Sequence, residues 1–221
     1  MNAPVTIGSA ALAELAAYLR RPAFSQVFVL VDANTARLCL PTLEAQLPPG
    51  HQVIEIPAGE EFKTLATCGL VWDALTQRQA DRHALLVNVG GGVVTDLGGF
   101  CGALYKRGLA FVQVPTTLLA QVDASVGGKT GVDYQGFKNH LGVFQEPLAV
   151  FIAPELLSTL DPRQLKAGYA EVLKHWLIAD ADAFERQRRL GWLTDDWTPI
   201  IEESVALKQR VVASDPLESG P

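Results

Sequence analysis

The stretch NVGGGVVTDLGGFCGALYKRGLAFVQVPTTLLAQVDASVGGKTGVDYQGFKN, residues 88–139, decides the reading of this chain. It opens at the end of an apolar run, Ala84 to Val89, breaks on Gly90-Gly91-Gly92, and resumes as an apolar segment of helical character. A strand that stops on glycine and re-enters as a helix points backbone N–H groups and the positive helix end at one place, where anions and phosphates bind. Asp96 follows four residues after the last glycine, early in the helix, where a carboxylate is favoured and can accept hydroxyl hydrogen bonds. Downstream stand Pro115-Thr116-Thr117, Asp123, Gly127-Gly128-Lys129 and Lys138-Asn139. A glycine-rich frame holding this many polar groups reads as a site.

Outward from it, strands and helices alternate. A short strand is expected around Pro4–Gly8, followed by a helix capped by Ser9 and running to about Arg20. Gln26–Val31 is a continuous apolar run, as in a central parallel strand covered on both faces, and it ends in Asp32-Ala33-Asn34. Open α/β sheets place ligands at such carboxyl ends. A helix over 35–46, a strand over 52–56, a loop at Pro57–Lys63, a helix over 64–79 and a strand at 111–114 continue the alternation; a short helix over 117–122 follows. After a last strand at 149–152 the segments are helical: 154–160, 163–179, 182–190 and about 198–213. The pattern predicts an α/β fold, an N-terminal Rossmann-like doubly wound sheet (residues 1–160) followed by the start of an all-helical domain (161–221). Asp161-Pro162 marks the boundary. The last helix has no visible partner and Asp215–Pro221 is turn chemistry, so the helical part looks incomplete.

Apolar residues make up 48% and charged residues 19% of 221, which excludes a disordered chain. A formal charge of −6 argues against nucleic acid as partner. No apolar run is long enough to span a membrane, and the N-terminus lacks a basic region before its apolar part, so the expectation is a cytoplasmic protein. Cys39, Cys68 and Cys101 have no CxxC spacing and are expected to be buried thiols.

The glycine turn lacks the GxGxxG fingerprint, since Thr95 stands where its last glycine is required; it is either a phosphate cradle or a tight structural turn. Gly98, Gly99 and Gly102 are expected to allow close helix–sheet packing. Glu171, Lys174 and His175 fall on one helical face, either as a surface ion pair or, through Glu171 and His175, as metal ligands. Lys63, Arg107, Lys129 and Lys138 all lie at glycine breaks. Four cations near such a turn, in an acidic chain, suggest a phosphorylated, anionic small molecule.

The segments GGGVVTDLGGF, YKRG, FVQVPTTLLAQVDASVGGKTGVD, GFKNHLG and AGYAEVLKH resemble those of the 3-dehydroquinate synthases, in the same order and spacing over nearly the whole chain. The resemblance implies a lyase that uses NAD and a divalent metal, zinc or cobalt. Its substrate would be 3-deoxy-D-arabino-heptulosonate 7-phosphate and its products 3-dehydroquinate and phosphate, in the shikimate pathway. Oxidation of a ring hydroxyl, β-elimination of phosphate, re-reduction and aldol closure would follow in turn.

The same resemblance assigns NAD to Asp32, Asn34, Glu60, Lys63, Gly91, Gly92, Val93, Asp96, Thr116, Thr117, Thr159 and Leu160, with Lys138 between cofactor and substrate. It assigns Asp123 to a substrate hydroxyl, Lys129 and Asn139 to the substrate phosphate, and Lys174 and Lys208 to further substrate contacts. Arg107 would reach a neighbouring subunit's phosphate site, implying a homodimer. Glu171 would be the metal carboxylate, with His175 outside the family's ligand set. The family's two metal-binding histidines are expected past Gly220-Pro221, so the chain as given is expected to bind NAD without turning over, and to expose apolar surface on its last helices. Related cyclases, as their pattern is understood, lack the Gly127–Thr130 Gly-Gly-Lys-Thr, which favours the dehydroquinate synthases. A polyol dehydrogenase of the glycerol dehydrogenase type and a cofactor-binding remnant compete with that reading.

Overall fold

The structure, a computed structural model, describes residues 3–191, 194–215, 217 and 220. Of the expected turn at 215–221, positions 216, 218, 219 and 221 lie outside the described residues. The chain runs β1 (Val5–Ile7), α1 (Ala11–Leu19), β2 (Val27–Asp32), α2 (Ala33–Leu38), α3 (Leu40–Leu43), β3 (Gln52–Ile56), α4 (Leu65–Gln77), β4 (Leu85–Gly90), α5 (Gly92–Leu104) and β5 (Ala110–Pro115). A π-helical turn (Ala120–Ala124), β6 (Lys129–Tyr134), β7 (Phe137–Phe144) and β8 (Val150–Ile152) follow, then a 3-10 segment (Pro154–Thr159), α6 (Pro162–Ala179), α7 (Ala181–Leu190) and α8 (Thr198–Ser214).

Six strands form one parallel sheet in the order β1-β8-β5-β4-β2-β3. The side chains of β2 alternate between its faces: Val27, Val29 and Val31 join the layer with α1, whereas Phe28 and Leu30 join the layer with α4 and α5. Burial on both faces explains why the strand reads as an unbroken apolar run. From β2 the chain proceeds outward to β3 on one side, and from β4 through β5 to β8 on the other. The strand order therefore reverses between β2 and β4, the place where doubly wound sheets open a crevice at their carboxyl ends.

Glycines on α5 bring it close to the sheet as expected. A Cβ at Gly98 would stand 2.2 Å from Asn88 Oδ1, and one at Gly99 would stand 2.4 Å from Thr130 Cγ2. Helix α6 begins at Pro162, with Asp161 accepting from Arg163 N at 2.8 Å as its N-cap.

Four local readings are corrected. Ser9 does not cap α1; Ala10 occupies that position without a side-chain bond. The helix expected over 35–46 breaks into α2, α3 and a 3-10 turn, since Pro41 cannot donate to the turn before it. Residues 129–144, which carry no element in the sequence reading, form an antiparallel hairpin, β6–β7. Helix α8 does have partners: Ile201, Val205 and Leu207 are buried in a third cluster with Leu118, Val122, Val172 and Trp176. Beside that cluster Leu177, Ile178 and Val211 are exposed, matching the expected apolar surface. The three cysteines are buried and free. Among the described residues no helix is long and apolar enough to cross a membrane.

Candidate active site

The residues assigned to NAD line up along the carboxyl ends of the sheet. Asp32 ends β2 and caps α2, its Oδ1 accepting from Asn34 N at 2.9 Å and Thr35 N at 2.8 Å. Gly91 caps α5 with extended backbone, and Gly92 and Val93 open the helix. A Cβ on Gly91 would press on Thr117 Cγ2 at 2.9 Å, whereas one on Gly92 would meet only Ala124 Cβ at 3.7 Å. The turn thus leaves room over Gly92 with the amide-bearing end of a helix beneath it, which fits a phosphate group. Thr116 and Thr117 follow β5, and Thr117 Oγ1 accepts from Ala120 N at 3.2 Å. Thr159 and Leu160 close the 3-10 segment after β8; Thr159 Oγ1 lies 3.5 Å from Cys39 Sγ.

Lys63 joins this row to the rest of the site. Its side chain is buried, and its ammonium donates to Asp96 Oδ2 and to Asn139 Oδ1, each at 2.6 Å. Asp96 lies in the second turn of α5 rather than at its end, so burial, not the helix terminus, governs it. Burial pushes its carboxyl up to about 6, against the opposing pull of Lys63. Asn139 holds a left-handed backbone (φ +51°), and its N–H donates to Asp133 Oδ1 at 2.8 Å. The Asp133 N–H in turn donates to the Lys63 carbonyl at 2.8 Å, so the hairpin is tied to the Pro57–Lys63 loop. Glu60 and Lys138 add an exposed ion pair at 3.0 Å across the same junction, a contact of small energetic weight.

A cleft of about 600 Å³ opens between the hairpin, α6 and α8, and its wall includes Asp96, Asp123, Lys129, Asn139, Lys174, His175 and Lys208. Lys208 donates to both the carboxylate and the carbonyl of Asp123 at 2.5 Å. Burial raises the Asp123 carboxyl, but Lys208, Lys174 and His175 together outweigh it and hold the group below its ordinary value. Glu171 sits behind the wall, in ion-pair contact with Lys174, and its Oε1 is 3.3 Å from His175 Nε2. Burial lowers the His175 imidazole below its ordinary value against the pull of Glu171 and Asp123, leaving the ring neutral at neutral pH. Among the described residues one group of side chains gathers as metal ligands would: Asp123, Glu171 and His175 each offer an atom within 4.8 Å of the other two. Two carboxylates and an imidazole suit a divalent ion such as zinc or cobalt.

The structure therefore brings together the expected Asp96, Asp123, Lys129, Asn139, Lys174 and Lys208. It does not bring Arg107 into the cleft; that residue is exposed in the turn after α5, with a left-handed backbone (φ +66°). Lys138 is also outside, held by Glu60. Asp133 and Ser204, whose Oγ is 2.6 Å from His175 Nδ1, were not singled out by sequence reasoning, and no spacing signal marks them.

A doubly wound sheet with this crevice and this cleft defines an α/β fold shared with NAD-binding cyclases. The chain aligns with a solved 2-deoxy-scyllo-inosose synthase complexed with carbaglucose-6-phosphate, NAD+ and Co2+, at a TM-score of 0.87 and 26% identity, covering 99% of this chain and 65% of the other. It aligns with ValA (2-epi-5-epi-valiolone synthase) from Streptomyces hygroscopicus subsp. jinggangensis 5008, with NAD+ and Zn2+ bound, at a TM-score of 0.86 and 30% identity, covering 99% and 63%. The family model described as 3-dehydroquinate synthase N-terminal matches residues 53–167. The chain belongs to the 3-dehydroquinate synthase family. A 3-dehydroquinate synthase of Parabacteroides distasonis is 40% identical over 212 residues, 94% of this chain and 60% of that protein. The chain thus spans about 60% of the length of the curated relatives it matches.

Proposed function

We propose that this chain carries the NAD-binding and substrate-holding part of a 3-dehydroquinate synthase, a lyase acting on 3-deoxy-D-arabino-heptulosonate 7-phosphate. The observation that carries the reading is the cleft itself, where Asp123, Lys129, Asn139, Lys174 and Lys208 converge beside the carboxyl ends of the strands. NAD, when bound, supplies reversible hydride transfer, and a divalent ion supplies stabilisation of oxygen charge.

The chain's own residues supply the rest. Asp32, Asn34, the Gly91-Gly92-Val93 turn, Thr116, Thr117, Thr159 and Leu160 bind the cofactor, with Glu60 and Lys63 from the loop after β3. Asp123, kept ionised by Lys208, accepts a hydrogen bond from a substrate hydroxyl and orients it. Lys129, Lys174 and the Asn139 amide hold the anionic groups of the substrate, so that the leaving phosphate stays near the C–H whose proton it takes. Lys63 bonds both Asp96 and Asn139, so one ammonium sets the cofactor side and the substrate side together. In this reading residues 1–160 and 161–221 are the cofactor and substrate domains, Arg107 serves a second copy in a homodimer, and the protein works in the cytoplasm.

Calorimetric titration of NAD tests the cofactor side, with Gly92→Val as the decisive variant. A Cβ there meets only Ala124 Cβ, at 3.7 Å, and the branched side chain beyond it would stand over the open end of the turn. We expect the native chain to bind NAD and the variant to lose it with an unchanged circular dichroism spectrum. Equal binding by both would sink the assignment. The second reading, a cyclase for another sugar phosphate, is favoured by the TM-scores of 0.87 and 0.86. Titrating 3-deoxy-D-arabino-heptulosonate 7-phosphate and glucose 6-phosphate separately into the NAD-loaded chain distinguishes the two.

A further inference from the structure

We propose that Gln121 is a positioning residue of this site, its side-chain nitrogen tying the loop after β5 to the loop after β8 and holding both against the turn that carries Asp123. The proposal deepens the reading above and rests on it for what the two loops hold.

The tie begins where the sheet's own bonding runs out. β5 lies on β8 through Gln113–Val150, and Pro115, two residues further along β5, has no N–H with which to extend that ladder. Beyond it, the carbonyls of Pro115 and Ala153 take their donor from a side chain. Gln121 is fully buried, and its Nε2 donates to Pro115 O and to Ala153 O, each at 3.2 Å. An amide nitrogen has two hydrogens, so one goes to each strand end. Gln121 Oε1 has no hydrogen-bond partner among the described residues. Turning the amide over would set that oxygen against two carbonyl oxygens, so the nitrogen fixes the orientation and the acceptor is left unused.

What those carbonyls precede gives the tie its consequence. Pro115 leads directly into Thr116 and Thr117, and Ala153 leads into the 3-10 segment that ends at Thr159 and Leu160. All four are cofactor residues in the proposed reading. One side chain therefore sets the spacing of two loops on which the cofactor would rest.

The backbone around Gln121 supplies the third link. Thr117 starts the turn: its Oγ1 accepts from Ala120 N at 3.2 Å and its carbonyl from Gln121 N at 2.9 Å. The turn then widens to π geometry, with Ser125 donating to the Ala120 carbonyl through its N–H at 3.1 Å and its Oγ at 2.7 Å. Single π turns are rare and recur at functional sites. Side chains two residues apart on a helical turn point to nearly opposite sides, about 200° apart in α geometry. Gln121 accordingly goes into the fold, and Asp123 reaches the cleft wall. The inner side of the turn answers to the two loops while its outer side faces the substrate.

The test is calorimetric titration of NAD into the native chain, Gln121→Met and Gln121→Asn, under conditions where urea unfolding shows each protein to be fully folded. Methionine keeps the volume without a donor. Asparagine keeps an amide too short for both carbonyls and leaves room for a water to meet them. Both variants are expected to bind NAD about tenfold more weakly, the weight of about one net hydrogen bond. In carbon NMR the Asp123 carboxyl is expected to titrate higher in both, because the loosened turn no longer holds it against Lys208. NAD binding by the native chain decides the functional reading by itself; if it is absent, that reading fails and the Asp123 titration alone decides whether Gln121 sets the turn. NAD affinity equal to native in a folded variant, or an unmoved Asp123, overturns the positioning role and makes the amide a fold-stabilising bond only. Failure of both variants to fold overturns it in the same way.

Discussion

Replacing Lys63 by Met tests the claim that one buried ammonium holds the two halves of the site together. The side chain is 5% exposed and donates to Asp96 and Asn139. Asp96 moves from an ordinary value of 3.8 to about 6 on folding, because burial outweighs Lys63. A group whose folded value is raised favours the folded state only while protonated. Its penalty is absent below about pH 4, grows between about pH 4 and 6, and is constant above, reaching about 3 kcal/mol at 1.36 kcal/mol per unit. Without Lys63 the opposing charge is gone, the folded value rises beyond 6, and the penalty continues to grow above that pH. Relative to the native chain, the variant is therefore predicted to lose a pH-independent increment from packing and the Asn139 bond. It loses a further increment of about 1.4 kcal/mol at pH 7, which approaches twice that at pH 8 for as long as the new value stays above the pH of measurement. Urea unfolding of both proteins from about pH 5.5 to about pH 8 reads the difference directly. A stability loss that is flat across this range would refute the reasoning, for it would mean that Asp96 keeps its charge without Lys63 or never carries one.

Lys208→Met removes the strongest opponent of burial at Asp123, so the Asp123 carboxyl is expected to rise above its ordinary value of 3.8. Carboxyl-carbon NMR titration checks this, and an unmoved Asp123 would show that Lys174 and His175 suffice. Gly98→Ala places a Cβ 2.2 Å from the fully buried Asn88 amide, and a cost of about 1–3 kcal/mol is expected. A urea midpoint equal to that of the native chain would show that Asn88 moves aside.

The sheet was legible because its central strands are buried on both faces, which writes them as runs such as VFVLV and LLVNV between polar ends. The row of residues expected to hold the cofactor falls at those ends for the related reason that glycines and small polar residues collect there. The hairpin at 129–144 was not. Every second residue of a half-buried strand is normally apolar, but β7 is exposed along most of its length and carries Lys138, Asn139 and His140 in succession. Its position comes from long-range bonds, Asp133 N to the Lys63 carbonyl and Lys63 Nζ to Asn139, which no local pattern encodes.

The same argument explains the cleft. Asp123 and Lys208 are 85 residues apart in sequence, and His175 and Ser204 are 29 apart, yet both pairs meet across the α8 interface. Helical spacing revealed that Glu171, Lys174 and His175 share a face, and the resemblance to a family supplied the role of Glu171. Neither could reveal what the face meets. Only packing α8 against α6 and the Ala120–Ala124 turn brings a second carboxylate and a buried hydroxyl to that histidine, and so gathers a pattern readable as a surface ion pair into a cluster spaced as metal ligands would be. Disrupting that interface away from the polar groups should separate the two roles. Val205→Ala, a buried apolar truncation beside Ser204, is predicted to lower stability by about 1–3 kcal/mol and to loosen the Asp123–Lys208 contact, read as a rise of the Asp123 carboxyl by carbon NMR, while leaving NAD affinity unchanged. If NAD affinity fell in parallel with stability, the helical part would be setting the sheet's crevice as well, and the row at the strand ends could not be treated as independent of α8.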